Sequence, residues 1–176
     1  MSRGYRIAVP LQTARGTVTA SDELCVDLDV LPILSEGEMR ALIKDSLKEK
    51  GWREGKDGEM TKVLGDGATA VLDKDGKTVT VRLETTREVQ GSGQTDQEAK
   101  ASLDARSKEA EKEAKQKATQ QLARAEPALR GELDDAVQKV YIEALKKKAA
   151  QMGQVESLQE TKGTDGSMEI TIKVRA

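Results

Sequence analysis

Apolar and polar positions alternate with a period of two through Tyr5, Ile7, Val9 and Leu11, and again through Leu24, Val26, Leu28 and Val30. That spacing predicts two strands with one buried face each. Glu23, Cys25, Asp27 and Asp29 take the outer face of the second run. The region of Gly16 reads as the connection between the runs, with 17–19 able to extend the strand. At Ser35 the period changes. Ser35 followed by Glu38 has the spacing of a capping box, and Met39, Leu42, Ile43 and Leu47 form an apolar stripe at helical spacing. Gly51 is a stop signal, with Trp52 placed to fold back on the last turn as a packing anchor.

After a Gly-rich connection at 53–58, the segments 60–63, 68–72 and 78–89 return to strand-like alternation. "DKDGK" supplies a tight Asp-Gly turn before the last of them. "QGSGQT" reads as a flexible linker over 91–95. From Asp96 to Glu126 there is no Gly or Pro, and Thr119 is the one β-branched residue, so helix propensity is high. Leu103, Ala110, Ala114, Ala118 and Leu122, with Ala99, share one narrow stripe. Pro127 suits a first helical turn better than a helix interior, which predicts a corner near Glu126. A second helix follows on Leu129, Leu133, Val137, Val140, Tyr141, Ala144 and Met152, ending at Gly153. The segments 155–161 and 168–174 then alternate again around "KGTDG".

These elements predict an α+β fold. Its body, 1–90, is an antiparallel sheet with one short packing helix. A long antiparallel helical hairpin, 96–152, is inserted as an arm, and a C-terminal β-hairpin, 153–176, returns to the body because two strands alone are marginal in water. Both ends of the chain read helix, Gly stop, strand, Asp-Gly turn, strand. Duplication of one unit and convergence on a common hairpin design both fit that likeness.

Composition narrows the chemistry. Among 176 residues there is no His and no Phe, and aromatics make up 2%. The commonest general base is therefore missing, and His-dependent triads and zinc sites are excluded. The single cysteine, Cys25, forms no intramolecular disulfide, and its acidic neighbours blunt its reactivity as a nucleophile. A formal net charge of −2 and few stacking side chains argue against nucleic acid as a partner. No apolar run is long enough to span a membrane and no secretory signal opens the chain, so a cytoplasmic protein is expected. "DKDG", "GDGATA" and "QGSGQTD" lack the remaining residues of calcium or phosphate loops. No cofactor is expected.

The closing segment "EALKKKAAQMGQVESLQETKGTDGSMEITIKV", together with the strand–helix–Gly-Trp opening, resembles small bacterial accessory proteins. These are encoded beside AAA+ ATPases of the MoxR and FtsH-like kind in multi-gene ternary systems. The resemblance implies a non-enzymatic partner of such an ATPase or of a neighbouring subunit.

Two functions from different classes remain. The first is a non-catalytic interaction or adaptor protein that engages a protein partner, or a second copy of itself, through the helical arm or a sheet edge. Its contact residues would be Leu103, Ala110, Ala114, Ala118 and Leu122, with Lys108, Lys112 and Lys115 exposed beside them. The second is a divalent-metal-dependent enzyme or ion-responsive module using Asp22, Asp27 and Asp29. Small-ligand binding in a cleft between sheet and helix is a third possibility.

Overall fold

The computed structural model describes residues 11–164 and 168–175. The expected strand through Tyr5, Ile7 and Val9 and the turn at Gly166 lie outside those residues, and Leu11 is exposed. β1 (Gln12–Asp27) is one uninterrupted strand whose even-numbered residues turn inward, with Ala20 and Val26 buried. Gly16 therefore lies inside a strand instead of connecting two. Its φ is not positive, and the surrounding "TARGTVTA" contains no other turn residue to break the ladder.

α1 (Glu36–Glu49) starts where the capping box places it. The Glu38 carboxylate accepts from the Ser35 backbone N–H at 3.2 Å and from its hydroxyl at 2.5 Å. Those two bonds hold the Glu38 carboxyl below its usual range. At the other end Gly51 adopts φ 87°. Its N–H reaches Lys48 O at 3.0 Å while Trp52 N–H reaches Leu47 O at 3.1 Å, the paired bonds of a Schellman cap.

β2 (Arg53–Glu54), β3 (Met60–Val63), β4 (Thr69–Leu72) and β5 (Thr78–Gly93) complete a five-stranded sheet of order β1-β5-β4-β3-β2. Arg53 and Glu54, expected in a loop, pair with Thr61 and Met60. Met60 pairs with Leu72 and Val63 with Thr69. The β1–β5 register follows from its cross-strand contacts. Thr19 meets Thr86, Glu23 meets Arg82, Cys25 meets Thr80 and Asp27 meets Thr78, an antiparallel progression.

Contact density divides the chain into two units. The first comprises the described residues up to Leu24 with Gly65–Ala68 and Arg82–Arg124. In it the β-ribbon lies against the helix at very close range. A Cβ on Gly91 would stand 2.3 Å from Ala99 O, and one on Gly93 would stand 2.6 Å from Ala99 N. The segment read as a flexible linker is thus the end of β5 and the entry to α2 (Asp96–Met152). Thr95 caps that helix: its hydroxyl accepts from Glu98 N–H at 3.2 Å and Glu98 returns to Thr95 N–H at 3.3 Å.

The second unit comprises Cys25–Leu64, Thr69–Val81 and Ala125–Ala176. Leu47, Trp52, Met60, Leu72, Val79, Val81, Leu133 and Val140 form its buried interior. Polar cross-links tie α1, its C-terminal cap and β3 to α2 around that interior. The Glu132 carboxylate accepts from Trp52 Nε1 at 2.8 Å and from Lys62 Nζ at 2.7 Å. Lys62 Nζ also donates to Lys50 O at 2.9 Å, and Ser46 donates to Ala136 O at 3.2 Å. Trp52, 3% exposed, is the packing anchor that its place after Gly51 suggests.

Glu54 ties β2 to α1, accepting from Lys48 Nζ at 2.8 Å and Lys44 Nζ at 2.9 Å. The two ammonium groups bring its carboxyl down to about 2 from the ordinary 4.5. A carboxyl depressed in the folded state stabilises the fold fully above its unfolded value, and that contribution is lost as pH falls through the folded one. For Glu54 the window runs from 4.5 down to about 2. Urea midpoints measured across that window should fall more steeply for the wild type than for Glu54→Gln. Parallel curves would show that the lysine pair contributes nothing.

α2 replaces the predicted helical hairpin. It is one 57-residue helix with Pro127 inside it. Proline deprives the Ala123 carbonyl of its intrahelical donor and costs about 3 kcal/mol. Two features outweigh that. The ring is on the exposed side, and the buried residues Ala118, Leu122, Leu129, Leu133, Ala136 and Val140 keep helical phase on both sides of it. Each buried Leu or Val contributes about 1.5–3 kcal/mol, so tertiary burial overrides the local break.

β6 (Gln154–Lys162) and β7 (Met168–Arg175) form a hairpin of their own, with Leu158 opposite Ile172 and a bulge between Val155 and Ser157. Among the described residues this hairpin is a separate two-stranded sheet and adds no strand to the five-stranded one. The Lys146 ammonium, with Glu143 and Glu160 beside it, links it to the end of α2.

Candidate interaction groove

Beyond Asp27 the chain runs as "LDVLPIL" (28–34) before α1. Leu28 N–H still reaches Lys77 O at 2.6 Å, but Pro32 has no N–H to continue a ladder. The segment is held from behind by one side chain. The Tyr141 hydroxyl donates to Asp29 O at 3.2 Å and accepts from Leu31 N–H at 3.1 Å. Two bonds to the backbone from a single phenol fix where Leu31 points. That leucine is 64% exposed.

The opposite wall is the first half of α1, and the end wall is the turn between β4 and β5. Gly76 takes φ 72° there, as an Asp-Gly turn requires. Asp73 Oδ1 accepts from Lys77 N–H at 2.8 Å and Thr78 N–H at 3.3 Å, which stiffens the turn. These three pieces, all within the second unit, enclose about 770 Å³, a volume in the range of ligand sites. Leu34, Met39 and Ile43 are its buried apolar lining.

The rim is charged and unbalanced. Asp27, Asp29, Glu36 and Asp75 stand against Arg40 and Lys77. Glu36 serves both cations, with Lys77 Nζ at 3.2 Å and Arg40 Nη2 at 3.9 Å. Asp27 accepts from the Thr78 hydroxyl at 3.1 Å. Asp29 and Asp75 are exposed and make no ion pair among the described residues. Arg40 Nε is buried without a hydrogen-bond partner among the described residues. Chemically this is a fixed apolar slot with excess negative charge at its mouth.

The residues singled out from sequence fall elsewhere. Ala114 and Ala118 are fully buried and Leu122 is 4% exposed, while Leu103 and Ala110 are half-buried. The Leu103 side chain lies in the first unit, 3.5 Å from where a Cβ on Gly16 would sit. The stripe is thus covered by the chain itself and is no open seam. Lys108, Lys112 and Lys115 are exposed, as their spacing suggests.

The three carboxylates of the acidic strand do not converge. Asp22 is on the inward-turned side of β1, Asp27 on the outer side, and Asp29 beyond the strand. The Thr119 hydroxyl donates to Asp22 at 2.5 Å and holds its carboxyl below the usual range. Among the described residues no three His, Cys, Asp or Glu side chains gather as a metal site. The sequence allows for a cleft between sheet and helix but does not locate it, because its parts come from residues far apart. One signal was present: Leu31 and Pro32 lengthen an apolar run past the end of the β1 alternation.

Among the described residues no helix is long and apolar enough to cross a membrane. No curated protein matches the chain. No solved structure matches it either. A family model described as FtsH ternary system domain X5 matches residues 1–176. With the whole length matched, this chain belongs to the FtsH ternary system domain X5 family, an accessory domain of an FtsH-associated ternary system.

Proposed function

We propose that the protein is a non-catalytic adaptor that engages a protein partner of its FtsH-associated system through the groove beside α1. The observation that carries this reading is Leu31, an exposed leucine whose backbone is clamped by Tyr141 at the lip of an apolar slot. An apolar side chain displayed on a rigid support gains contact area on binding with little ordering cost. The family supports a protein partner. The residue set supports a non-catalytic role, because His is absent and the lone Cys25 lies on an acidic strand face.

The outer face of α2 offers a second surface, since Lys108, Lys112 and Lys115 are all exposed there. Co-purification with the FtsH-type ATPase and the other proteins of the system separates the two. Leu31→Glu is expected to reduce recovery about tenfold, a loss of the size typical of a contact residue. Reversing the three lysines to Glu should leave recovery intact. Unchanged recovery with Leu31→Glu overturns the groove assignment, and loss on lysine reversal alone moves the contact to α2.

A further inference from the structure

We infer that the groove recognises a polypeptide segment in which an apolar side chain is flanked by Lys or Arg. The inference rests on the groove being the partner contact. The slot itself asks for an apolar group, because Leu34, Met39 and Ile43 are buried and Leu31 extends the same surface outward. The mouth asks for positive charge. Glu36 already balances Lys77 and sits beside Arg40, and Asp27 is engaged by the Thr78 hydroxyl without a cation, which leaves Asp29 and Asp75 as the exposed carboxylates of the rim with neither kind of partner among the described residues. They stand on two different walls, Asp29 on the clamped segment and Asp75 on the turn between β4 and β5, so charges on both sides of one anchor residue are met.

The same balance argues against an anionic occupant. A phosphate, nucleic acid or acidic membrane surface would meet four carboxylates against two cations, and fields of one sign repel like charge over a Debye length of about 8 Å in physiological salt. The rigidity of both walls favours a short extended segment that enters without remodelling the protein. Tyr141 fixes the clamped segment by two backbone bonds, and Asp73 fixes the end wall by two more.

Two soluble peptides of equal length serve as probes, one reading Gly-Lys-Leu-Lys-Gly and the other Gly-Glu-Leu-Glu-Gly. Each is titrated into the isotopically labelled full chain and followed by amide chemical shifts. The basic peptide should perturb Leu31, Arg40 and Asp75 and bind about tenfold more tightly than the acidic one, with the gap closing as salt is added. The double variant Asp29→Lys, Asp75→Lys should reverse the preference while leaving the melting curve unchanged, since both positions are exposed.

Equal affinity for the two peptides, tighter binding of the acidic one, or no perturbation at the groove by either overturns the inference. If co-purification depends on Leu31 while the peptide preference fails, the groove is the contact and only its charge rule is wrong. If co-purification ignores Leu31, the reading beneath it falls as well.

Discussion

Gly91→Ala is expected to lower the melting temperature of this protein by about 2–12 °C. The added Cβ would meet Ala99 O at 2.3 Å, Leu103 N at 2.4 Å and Leu103 Cα at 2.7 Å. All three are backbone atoms of α2, so no rotamer change relieves the clash. The strand must separate from the helix. Overpacking of this kind costs about 1–3 kcal/mol, and each kcal/mol moves the midpoint by about 2–4 °C in a chain of this size.

The loss falls on a thin interior. In the first unit the buried set is Ala20, Ala68, Leu83, Ala99, Ala114, Ala118 and Leu122, mostly alanine, and close backbone approach is what such small side chains permit. Gly131→Ala is the matched control. Gly131 lies within α2 with nothing within 4 Å of its added Cβ, so helix propensity should stabilise the chain by up to about 1 kcal/mol. A thermal melt showing Gly91→Ala at wild-type stability would mean that strand and helix are not held at this distance in solution.

Leu133→Ala is the second large effect, expected to cost about 2–5 kcal/mol. Leu133 is 2% exposed and among the largest fully buried side chains of the second unit. Its neighbours along α2, Leu129 and Val140, are held in place by the same helix, and the Glu132 carboxylate next to it is anchored by Trp52 and Lys62. The site therefore has little freedom to collapse into the vacated volume, which places the expectation in the upper part of that range. Urea denaturation with unchanged slope and a lower midpoint is the result that fits. A cost below about 1 kcal/mol would show that the interior relaxes around the gap.

What the sequence disclosed and what it hid divide by range. The Ser35–Glu38 box, the Gly51 stop, the Trp52 anchor and the Asp-Gly turn are each decided within six residues, and each stands in the structure as its spacing suggests. The outer bounds of the long helical region, 96 and 152, were equally local, set by a capping threonine and a glycine. Pro127 was misread because its penalty is local whereas the burial that overrides it is tertiary. The Gly91–Gly93 stretch was misread for a related reason: glycine signals flexibility and close approach alike, and only the partner tells them apart. A cleft between sheet and helix was conceivable, but its walls were out of reach, since Tyr141 clamps a segment 110 residues away. In the sequence that tyrosine is one more member of an apolar stripe.

The solitary indole has a practical corollary. Trp52 is the only tryptophan in the chain, sealed from solvent and donating its ring N–H to Glu132. Tryptophan emission, excited at the red edge where the two tyrosines absorb little, thus comes from one side chain in one of the two units, and its shift to longer wavelength registers the opening of that half alone. Paired with circular dichroism, which is dominated by the helices, a single cuvette distinguishes concerted melting from loss of one half before the other.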